Sequence, residues 1–363
     1  MDQFQSSMIA LLGRQDHPTD GVKDYCTMLR RALEERGCQL EVVRVQWATH
    51  GWLGALRRLW RQTRGRQGCW LLVQYTALSW SRRGFPFSFL LVLGLLRFRG
   101  ARVAVVFHDA AAYRGFRIVD RFRESCQRMV MVGAYRFSQK SILNVPLEQV
   151  SWLPHAPRKA SFIPIGSNIP AADFDRLHGR RREPGTIAVF GITGGGAVGS
   201  EVADIAFVAK EVAKVAPGIA LVTLGRGSVE AEPMLRKALD GAEVSFSALG
   251  VLPEHEVSTI LSGSELSLFV RGPLSTQRGS AIASIACGVP MVAYSGSLPA
   301  PIHEAGVLGI EHGNRQGLAE ASIRVLTDHE LWRKLRSNHK QAYEKHFAWH
   351  VIARQFVEVL GNA

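Results

Sequence analysis

Short apolar runs recur along the chain, separated by longer stretches in which apolar positions repeat at helical spacing. In the first half they predict strands at residues 8–13, 40–45, 70–75 and 103–107. A helix with one apolar face is predicted over residues 25–36, between the first two strands. Strands that alternate with helices in this way are typical of a parallel, doubly wound α/β sheet.

The same rhythm restarts in the second half, with strands predicted at residues 187–190, 220–224, 244–248, 266–270 and 291–294. Between the halves, residues 166–184 contain two prolines, Ser167-Asn168 and His178-Gly179-Arg180-Arg181-Arg182, a composition that predicts a linker. We therefore expect a Rossmann-like domain over residues 1–165 and a second one over residues 185–340. A chain of 363 residues is long enough for two such cores.

The run at residues 85–96 is almost wholly apolar, but twelve residues are too few to span a bilayer. It predicts a buried helix of the first domain. The five cysteines form no CxxC pair and no metal-ligand spacing, and the histidines show no HExxH motif. These features favour a metal-independent protein of the reducing cytoplasm.

Positive charge is concentrated in the first half, where residues 1–170 carry 25 Lys and Arg against 11 Asp and Glu. Residues 51–66 predict a basic amphipathic helix, with apolar Trp52, Leu56, Leu59 and Trp60 and a separate Arg face. Such a helix suits an anionic membrane surface on the inner, cytoplasmic side. The alternative is a solvated Arg face above an ordinary core stripe. No nucleic-acid-binding motif accompanies the charge.

A polar, glycine-bearing loop lies between the strands predicted at 266–270 and 291–294. Arg278, Gly279 and Ser280 stand where this loop turns into a helix, so backbone N–H groups, the positive helix end and a guanidinium can face one anion. The pattern predicts a phosphate site. No Gly-x-Ser-x-Gly motif surrounds Ser280, so its hydroxyl is interpreted as a phosphate ligand and not as a nucleophile.

A second glycine-rich turn, residues 191–199, follows the first strand of the second half. Gly194 and Gly195 would let backbone amides approach phosphate oxygens, although a flexible turn is the alternative. The turn is not a GxGxxG motif and lacks the later acid of a nicotinamide dehydrogenase. Because Lys210 is the next cation in the sequence, we expect Arg226 and Arg278 to neutralise the phosphate.

Candidate residues in the first half lie at predicted strand ends, where α/β enzymes place their working groups. His108 and Asp109 end the strand at 103–107, and Asp20 and Gly21 follow the first strand. His108, Asp109 and Asp20 each have a purely structural alternative. His108 would be a core histidine, Asp109 a solvated carboxylate, and Asp20 the cap of the next helix.

Several motifs, taken in order, resemble the retaining, family-4-like glycosyltransferases of the glycosyl transferases group 1 type. They are Asp20-Gly21-Val22-Lys23-Asp24-Tyr25, Val105-Val106-Phe107-His108-Asp109, Ile163-Pro164-Ile165-Gly166-Ser167-Asn168-Ile169-Pro170, Ala286-Cys287-Gly288-Val289-Pro290 and Phe347-Ala348-Trp349. The resemblance implies a GT-B architecture, in which two Rossmann-like doubly wound domains face a central cleft. It also implies that residues 341–363 cross back to the first domain.

The resemblance further implies a retaining, metal-independent hexosyltransferase without a cofactor, which moves sugar from a nucleotide-diphosphate donor to a glycan or lipid-linked acceptor. His108 and Asp109 would be catalytic, Asp20 and Gly21 would bind the acceptor, and the donor would be bound in the second domain. The donor-binding residues would be Gly194, Gly195, Arg226, Arg278, Gly279 and Ser280.

One departure from the family pattern concerns two glutamates spaced eight residues apart, the later of which typically holds the donor ribose. Their positions fall on Ser275 and Ala283, within an Arg-Gly-Ser variant of the donor loop. The substitution leaves a second hypothesis open: a catalytically silent GT-B protein that serves as a binding or scaffold component of a glycan-assembly complex.

Overall fold

The computed structural model describes residues 7–17, 20–115, 117–171, 185–294 and 298–361. The chain divides into two compact units. The first unit comprises Met1–Pro164 and Trp349–Ala363, and the second unit comprises Ile165–Ala348. Most of the predicted linker, including His178-Gly179-Arg180-Arg181-Arg182, lies outside the described residues.

The first unit contains a six-stranded sheet in which all neighbouring strands are parallel, in the order β2-β1-β3-β4-β5-β6. The strands are β1 Ser7–Leu12, β2 Gln39–Arg44, β3 Trp70–Tyr75, β4 Arg102–Phe107, β5 Lys140–Leu143 and β6 Ala160–Phe162. β3 and β4 are buried almost throughout, as expected for central parallel strands that helices cover on both faces.

The helices of the first unit connect these strands. They are α1 Gly21–Glu34, α2 Trp47–Gln62, α3 Ala77–Trp80, α4 Phe87–Phe98 and α5 Ile118–Phe137, with a 3₁₀ turn at Leu147–Gln149. α2, α4 and α5 are neighbours, with α4 in contact with both of the others. Their inner faces join the strands in one apolar core that includes Leu59, Leu93 and Val130.

The apolar run at 85–96 does form a helix, α4, but that helix is not fully buried. Phe89, Val92, Leu93 and Leu96 are buried, whereas Phe87, Leu91 and Phe98 are exposed. The prediction of a buried helix was therefore wrong for one face of α4, because the sheet covers only the other. Among the described helices, none has the length and apolarity needed to span a membrane.

The second unit also contains six parallel strands, in the order β12-β11-β10-β7-β8-β9. The strands are β7 Thr186–Phe190, β8 Ala220–Leu224, β9 Ser245–Ala248, β10 Leu266–Phe269, β11 Met291–Tyr294 and β12 Leu308–Ile310. Both sheets have the doubly wound Rossmann-like character that the sequence predicts, so the fold class is confirmed.

The second unit's helices are α6 Val198–Val215, α7 Ser228–Leu239, α8 Glu254–Ser262, α9 Gly279–Ala286, α10 Ala300–Glu304, α11 Arg315–Thr327 and α12 His329–Ala342. A 3₁₀ turn at Gly195–Ala197 precedes α6, and a π-helical turn follows α12 at Tyr343–Phe347. Apolar clusters on the sheet and around α9 form the core of this unit.

The last helix, α13 Trp349–Gly361, belongs to the first unit and packs against α1. The indole ring of Trp349 lies 5.3 Å from the ring of Tyr25 on α1. Nε1 of Trp70, at the start of β3, donates a hydrogen bond of 3.1 Å to the carbonyl oxygen of Leu360. These contacts attach the chain's final segment to its first sheet.

Candidate functional site

Three loops of the second unit leave neighbouring strands at the same edge of the sheet. β7 is hydrogen-bonded to β8 on one side and to β10 on the other. The loops after these strands begin at Gly191, Gly225 and Val270. In parallel sheets, loops at the carboxyl ends of neighbouring strands form the usual ligand site.

Glycines allow these loops to approach one another closely. Gly191 has a φ of +84°, and a Cβ atom at this position would lie only 2.7 Å from Nη1 of Arg271. Gly227 has a φ of +78°, and its Cβ would lie 2.1 Å from the carbonyl oxygen of Ile192. The N–H of Ile192 donates a hydrogen bond of 2.9 Å to the carbonyl oxygen of Arg226. The glycine-rich turn, Arg226 and Arg271 are thereby brought together.

Three guanidinium groups share this edge of the sheet. Burial lowers the pKa of Arg271, the charges of Arg278 and Arg226 lower it further, and the carboxylate of Glu201 opposes them. Like charges held close together repel one another unless an anion lies between them. The cluster of Arg226, Arg271 and Arg278 is therefore suited to bind a multiply charged anion.

Glu201 ties the glycine-rich turn to the start of α6. Its Oε2 atom accepts a 2.8 Å hydrogen bond from the backbone N–H of Thr193, and its side chain is buried. Nε of Arg271 lies 3.4 Å from Oγ1 of the same Thr193. Within the exposed turn, Gly195 has a φ of +75° and open space where a Cβ would be, so its backbone is accessible to a ligand.

The loop before α9 contains buried polar atoms that lack a hydrogen-bond partner. Among the described residues, they are Oγ of Ser275, Oε1 of Gln277 and Nε of Arg278. Buried polar groups are nearly always paired in native proteins, so three such atoms within four residues indicate a place where a ligand supplies the missing partners.

Arg278 is the N-cap residue of α9, and its carbonyl oxygen accepts hydrogen bonds from the N–H groups of Ala281 and Ile282. Gly279 and Ser280 are the first two residues of the helix, and their own N–H groups have no acceptor within it. The structure therefore places Arg278, Gly279 and Ser280 at a positive helix end beside Arg271. Ala283 lies in an apolar cluster with Leu224 and Val257, and its methyl side chain cannot form the hydrogen bonds of the family glutamate.

His108 follows β4 in the first unit and forms a hydrogen bond that the sequence did not predict. Its Nε2 atom lies 2.8 Å from Oε1 of Gln74, near the end of β3, and its ring meets that of Tyr25 edge-on at 4.9 Å. Burial lowers the pKa of His108 to about 4, although the charge of Asp20 opposes this shift. His108 is therefore neutral at physiological pH.

Asp109 does not orient His108. Its Oδ2 atom accepts a 2.9 Å hydrogen bond from the N–H of Ala77, at the start of α3, and burial raises the pKa of its carboxyl group. Asp20 caps α1 by accepting a 3.1 Å hydrogen bond from the N–H of Lys23. It also pairs with Arg44 at 2.8 Å. The predicted capping role of Asp20 is thus present. Gly21 is the first residue of α1, with open space around it.

Two residues of these sites were not predicted from the sequence. Arg271 lies two residues after the end of β10, and its signal was a lone cation after a buried strand, beside Gly272. Gln74 is a polar residue in the otherwise apolar strand β3, aligned with Val106 of β4. A buried amide in a central strand requires a partner, which here is His108.

Comparisons with known proteins agree on the fold. HepE of Anabaena, solved with UDP and glucose, has a TM-score of 0.66 at 14% identity, covering 99% of this chain and 100% of that one. WaaG, a glycosyltransferase involved in lipopolysaccharide biosynthesis, has a TM-score of 0.63 at 12% identity, with coverage of 98% and 100%. The fold is GT-B.

The GT-B fold also occurs in a Listeria monocytogenes protein described as a UDP-N-acetylglucosamine 2-epimerase. That protein has a TM-score of 0.63 at 12% identity, covering 99% of this chain and 96% of that one. No family model matches the sequence, and the search of curated proteins found no match. Because one fold carries transferases and an epimerase, the reaction has to be argued from the residues.

Proposed function

We propose that this GT-B protein is a glycosyltransferase that moves a hexose-like sugar from a nucleotide-diphosphate donor to a glycan or lipid-linked acceptor. The observation that carries the proposal is the cluster of Arg226, Arg271 and Arg278 beside a glycine-rich turn and a helix N-terminus. A diphosphate brings negative charge and several hydrogen-bond acceptor atoms, which guanidinium groups, backbone N–H groups and a helix N-terminus all favour.

In the proposed reaction, an acceptor hydroxyl attacks the anomeric carbon on the same face from which the diphosphate departs, while the bond from that carbon to the diphosphate breaks. The diphosphate leaves with the electron pair and takes up the hydroxyl proton. Negative charge grows on the leaving group, so guanidinium groups and backbone N–H groups fixed beforehand stabilise the transition state. Retention of configuration at the anomeric carbon follows from the resemblance of the 286–293 segment to retaining enzymes.

We assign the second unit to the donor and the first unit to the acceptor side of the reaction. Gly194, Gly195, Arg226, Arg271, Arg278, Gly279 and Ser280 would bind the diphosphate. Ser275 and Gln277 would take over hydrogen bonds to the donor from the missing glutamates, since both carry unpartnered buried oxygens. Neutral His108 would accept a hydrogen bond from a sugar hydroxyl and act in catalysis with Asp109, while Asp20 and Gly21 would bind the acceptor.

We propose that catalysis needs no metal ion, because the three guanidinium groups supply the positive charge that a divalent cation would otherwise bring to the diphosphate. Calorimetry with UDP, GDP and ADP, with and without EDTA, tests both points. We expect one of these nucleotides to bind, and we expect EDTA to leave its affinity unchanged. Binding that is abolished by EDTA would overturn metal independence, and binding of NAD alone would overturn the assignment.

The second candidate, a silent binding or scaffold protein, is favoured by the absence of a carboxylate at positions 275 and 283. Turnover of the donor distinguishes the two candidates. Release of nucleoside diphosphate from the cognate nucleotide sugar, with transfer to a membrane-extract acceptor, supports the enzyme. Tight nucleotide binding without turnover on any acceptor would support the silent protein.

We further propose a cytoplasmic protein that binds peripherally to the inner face of the membrane. Each of the five cysteines, all within the described residues, is a thiol, which suits a reducing compartment. The basic first half would be attracted to anionic headgroups.

A further inference from the structure

α4 presents a stripe of large apolar side chains to solvent. Phe87, Leu91 and Phe98 lie at positions i, i+4 and i+11, which share one face of a helix. Leu91 is 60% exposed and Phe98 is 81% exposed. Gly94, at the intervening position on this face, has open space beside it.

α5 repeats the same spacing with Ile118, Phe122 and Met129. Ile118 is 89% exposed and Phe122 is 65% exposed. The two helices pack together, with Leu90 of α4 against Gly133 of α5 and the rings of Phe85 and Phe122 5.8 Å apart. The two stripes therefore lie on neighbouring helices. We call Phe87, Leu91, Phe98, Ile118, Phe122 and Met129 the α4/α5 apolar surface.

Basic residues adjoin this surface on the side of α2. Phe98 stacks on Trp60 of α2 with ring centroids 5.9 Å apart, and the guanidinium of Arg99 lies 4.5 Å above the same indole. Arg57, Arg58 and Arg61 are exposed on α2, and residues 51–100 contain no acidic residue. Large exposed apolar side chains on two neighbouring helices, beside exposed arginines, are unusual for a surface that faces only water.

Most of the apolar side chains of α2 pack inward, and only Leu53 and Trp60 are exposed among its large apolar residues. Trp52, Leu56 and Leu59 pack on the core of the first unit, and the rings of Trp52 and Trp47 are stacked at 5.0 Å. The predicted membrane contact through residues 51–66 therefore offers only Leu53 and Trp60 as exposed large apolar side chains. A larger apolar contact with lipid needs another element.

We propose that the α4/α5 apolar surface inserts into the interface of an anionic lipid bilayer while the arginines of α2 contact its headgroups. The inference rests on the peripheral membrane location proposed above and is independent of the donor site in the second unit. A bilayer interface offers apolar chains and negative charge together, which matches this surface. A second copy would bring two basic faces together, and nucleic acid offers no apolar partner for Phe98 or Ile118.

The test uses vesicle co-sedimentation of the full chain. The triple variant Leu91→Gln, Phe98→Gln, Phe122→Gln removes apolar contact without changing charge. Its matched control is Val215→Gln, Val229→Gln, Val251→Gln, three residues of the second unit exposed by 53%, 53% and 54%. Vesicles of phosphatidylcholine alone are compared with vesicles that also contain phosphatidylglycerol, at low and high salt.

The α4/α5 variant is expected to bind anionic vesicles at least about tenfold more weakly than wild type, since each buried large apolar side chain is worth about that factor. The second-unit control is expected to bind like wild type. Arg57→Gln, Arg61→Gln, Arg64→Gln is expected to lose about a hundredfold at low salt. UDP or GDP affinity should stay unchanged in all three variants, so failure of this inference is separable from failure of the proposed donor site.

Equal vesicle binding by wild type and the α4/α5 variant, with both folded by circular dichroism, would overturn the proposal. A wild type that is dimeric by sedimentation and a variant that is monomeric would instead identify the surface as a self-association site, which also overturns it. Binding to neutral and anionic vesicles alike would remove the headgroup role of the arginines.

Discussion

The Nε2 atom of His108 faces the Oε1 atom of Gln74 at 2.8 Å, and the Nε2 atom of Gln74 donates to the carbonyl oxygen of Leu72 at 3.1 Å. The carbonyl of Leu72 fixes the orientation of the amide, so Oε1 can only accept a hydrogen bond from the imidazole. His108 must then carry its proton on Nε2. Its Nδ1 atom is left as a hydrogen-bond acceptor, which suits contact with a hydroxyl group of a sugar.

Replacement of His108 by alanine is expected to lower turnover by about a hundredfold or more while the nucleotide affinity stays the same. The loss is expected because the fixed acceptor atom disappears from the first unit, whereas the guanidinium cluster belongs to the second. Steady-state kinetics and calorimetry measure the two effects. Gln74→Leu, which frees the ring without removing it, should cost less turnover than His108→Ala. Wild-type turnover in His108→Ala would leave His108 with a purely structural role.

Arg271→Ala is expected to weaken binding of the nucleoside diphosphate by about 1.5–3 kcal/mol, the range for a charge-assisted contact, as is Arg278→Ala. Removal of Arg271 should leave stability unchanged or raised, because Arg278 and Arg226 lose a cationic neighbour. Calorimetry and thermal unfolding test the two effects on one sample.

Arg236→Ala is the matched control, since Arg236 lies on α7 of the same unit, where it pairs with Glu232 at the surface and lies 5.3 Å from the ring centroid of Phe246. Its nucleotide affinity should equal that of wild type. A Kd that does not change in Arg271→Ala would remove this residue from the donor site.

Glu201→Gln is expected to strengthen diphosphate binding by severalfold. The Gln side chain keeps an oxygen for the N–H of Thr193, so the glycine-rich turn retains its anchor. Loss of the carboxylate leaves the field of the three arginines unopposed, which favours an anion. Glu201→Ala, which removes the anchor as well, should bind more weakly than Glu201→Gln. If both variants weaken binding equally, the charge of Glu201 does not oppose the ligand.

His339 on α12 is expected to make the protein sensitive to mild acid. It is fully buried, both ring nitrogens lack a partner among the described residues, and burial lowers its pKa to about 3. The unfolded chain takes up a proton near pH 6.5 and the folded protein does not, so stability is complete above pH 6.5 and falls as the pH drops toward 3.

For one such histidine the loss between pH 6.5 and pH 5 is about 2 kcal/mol. His339→Phe keeps the ring volume and forfeits no hydrogen bond, so it should flatten this part of the pH profile by that amount. Urea unfolding from pH 7.5 to 5 measures it. His108 shares the behaviour and will leave a residual slope in the variant. An unaltered profile would show that His339 does not titrate on unfolding.

Strand positions could be predicted well because central parallel strands are continuous apolar runs. The runs at 70–75, 220–224 and 291–294 coincide with β3, β8 and β11. The glycine-rich turn and the start of α9 could be located for a similar reason, since backbone conformation and helix termini have local signals.

Burial of α4 and the roles of Arg271 and Gln74 could not be predicted, because they depend on partners far away in the sequence. Whether an apolar helix is covered on both faces depends on how many layers of helices and sheet the unit has. The residues of the helix itself do not determine that number. The position of Arg271 beside the glycine-rich turn depends on Gly191, eighty residues earlier, because a side chain at Gly191 would occupy the space of the guanidinium group. The role of Gln74 depends on its hydrogen bond with His108, which follows the neighbouring strand β4.

The hydrogen bond from Trp70 to Leu360 has a consequence for the order in which the protein can fold during synthesis. Domains usually fold as they emerge, with the N-terminal domain first. Here the first sheet emerges early, but the helix that covers Tyr25 on α1 follows only after all of residues 165–348. The second unit is continuous in sequence, so all of its core residues are synthesised before α13. The first unit can be completed only after α13 has been synthesised.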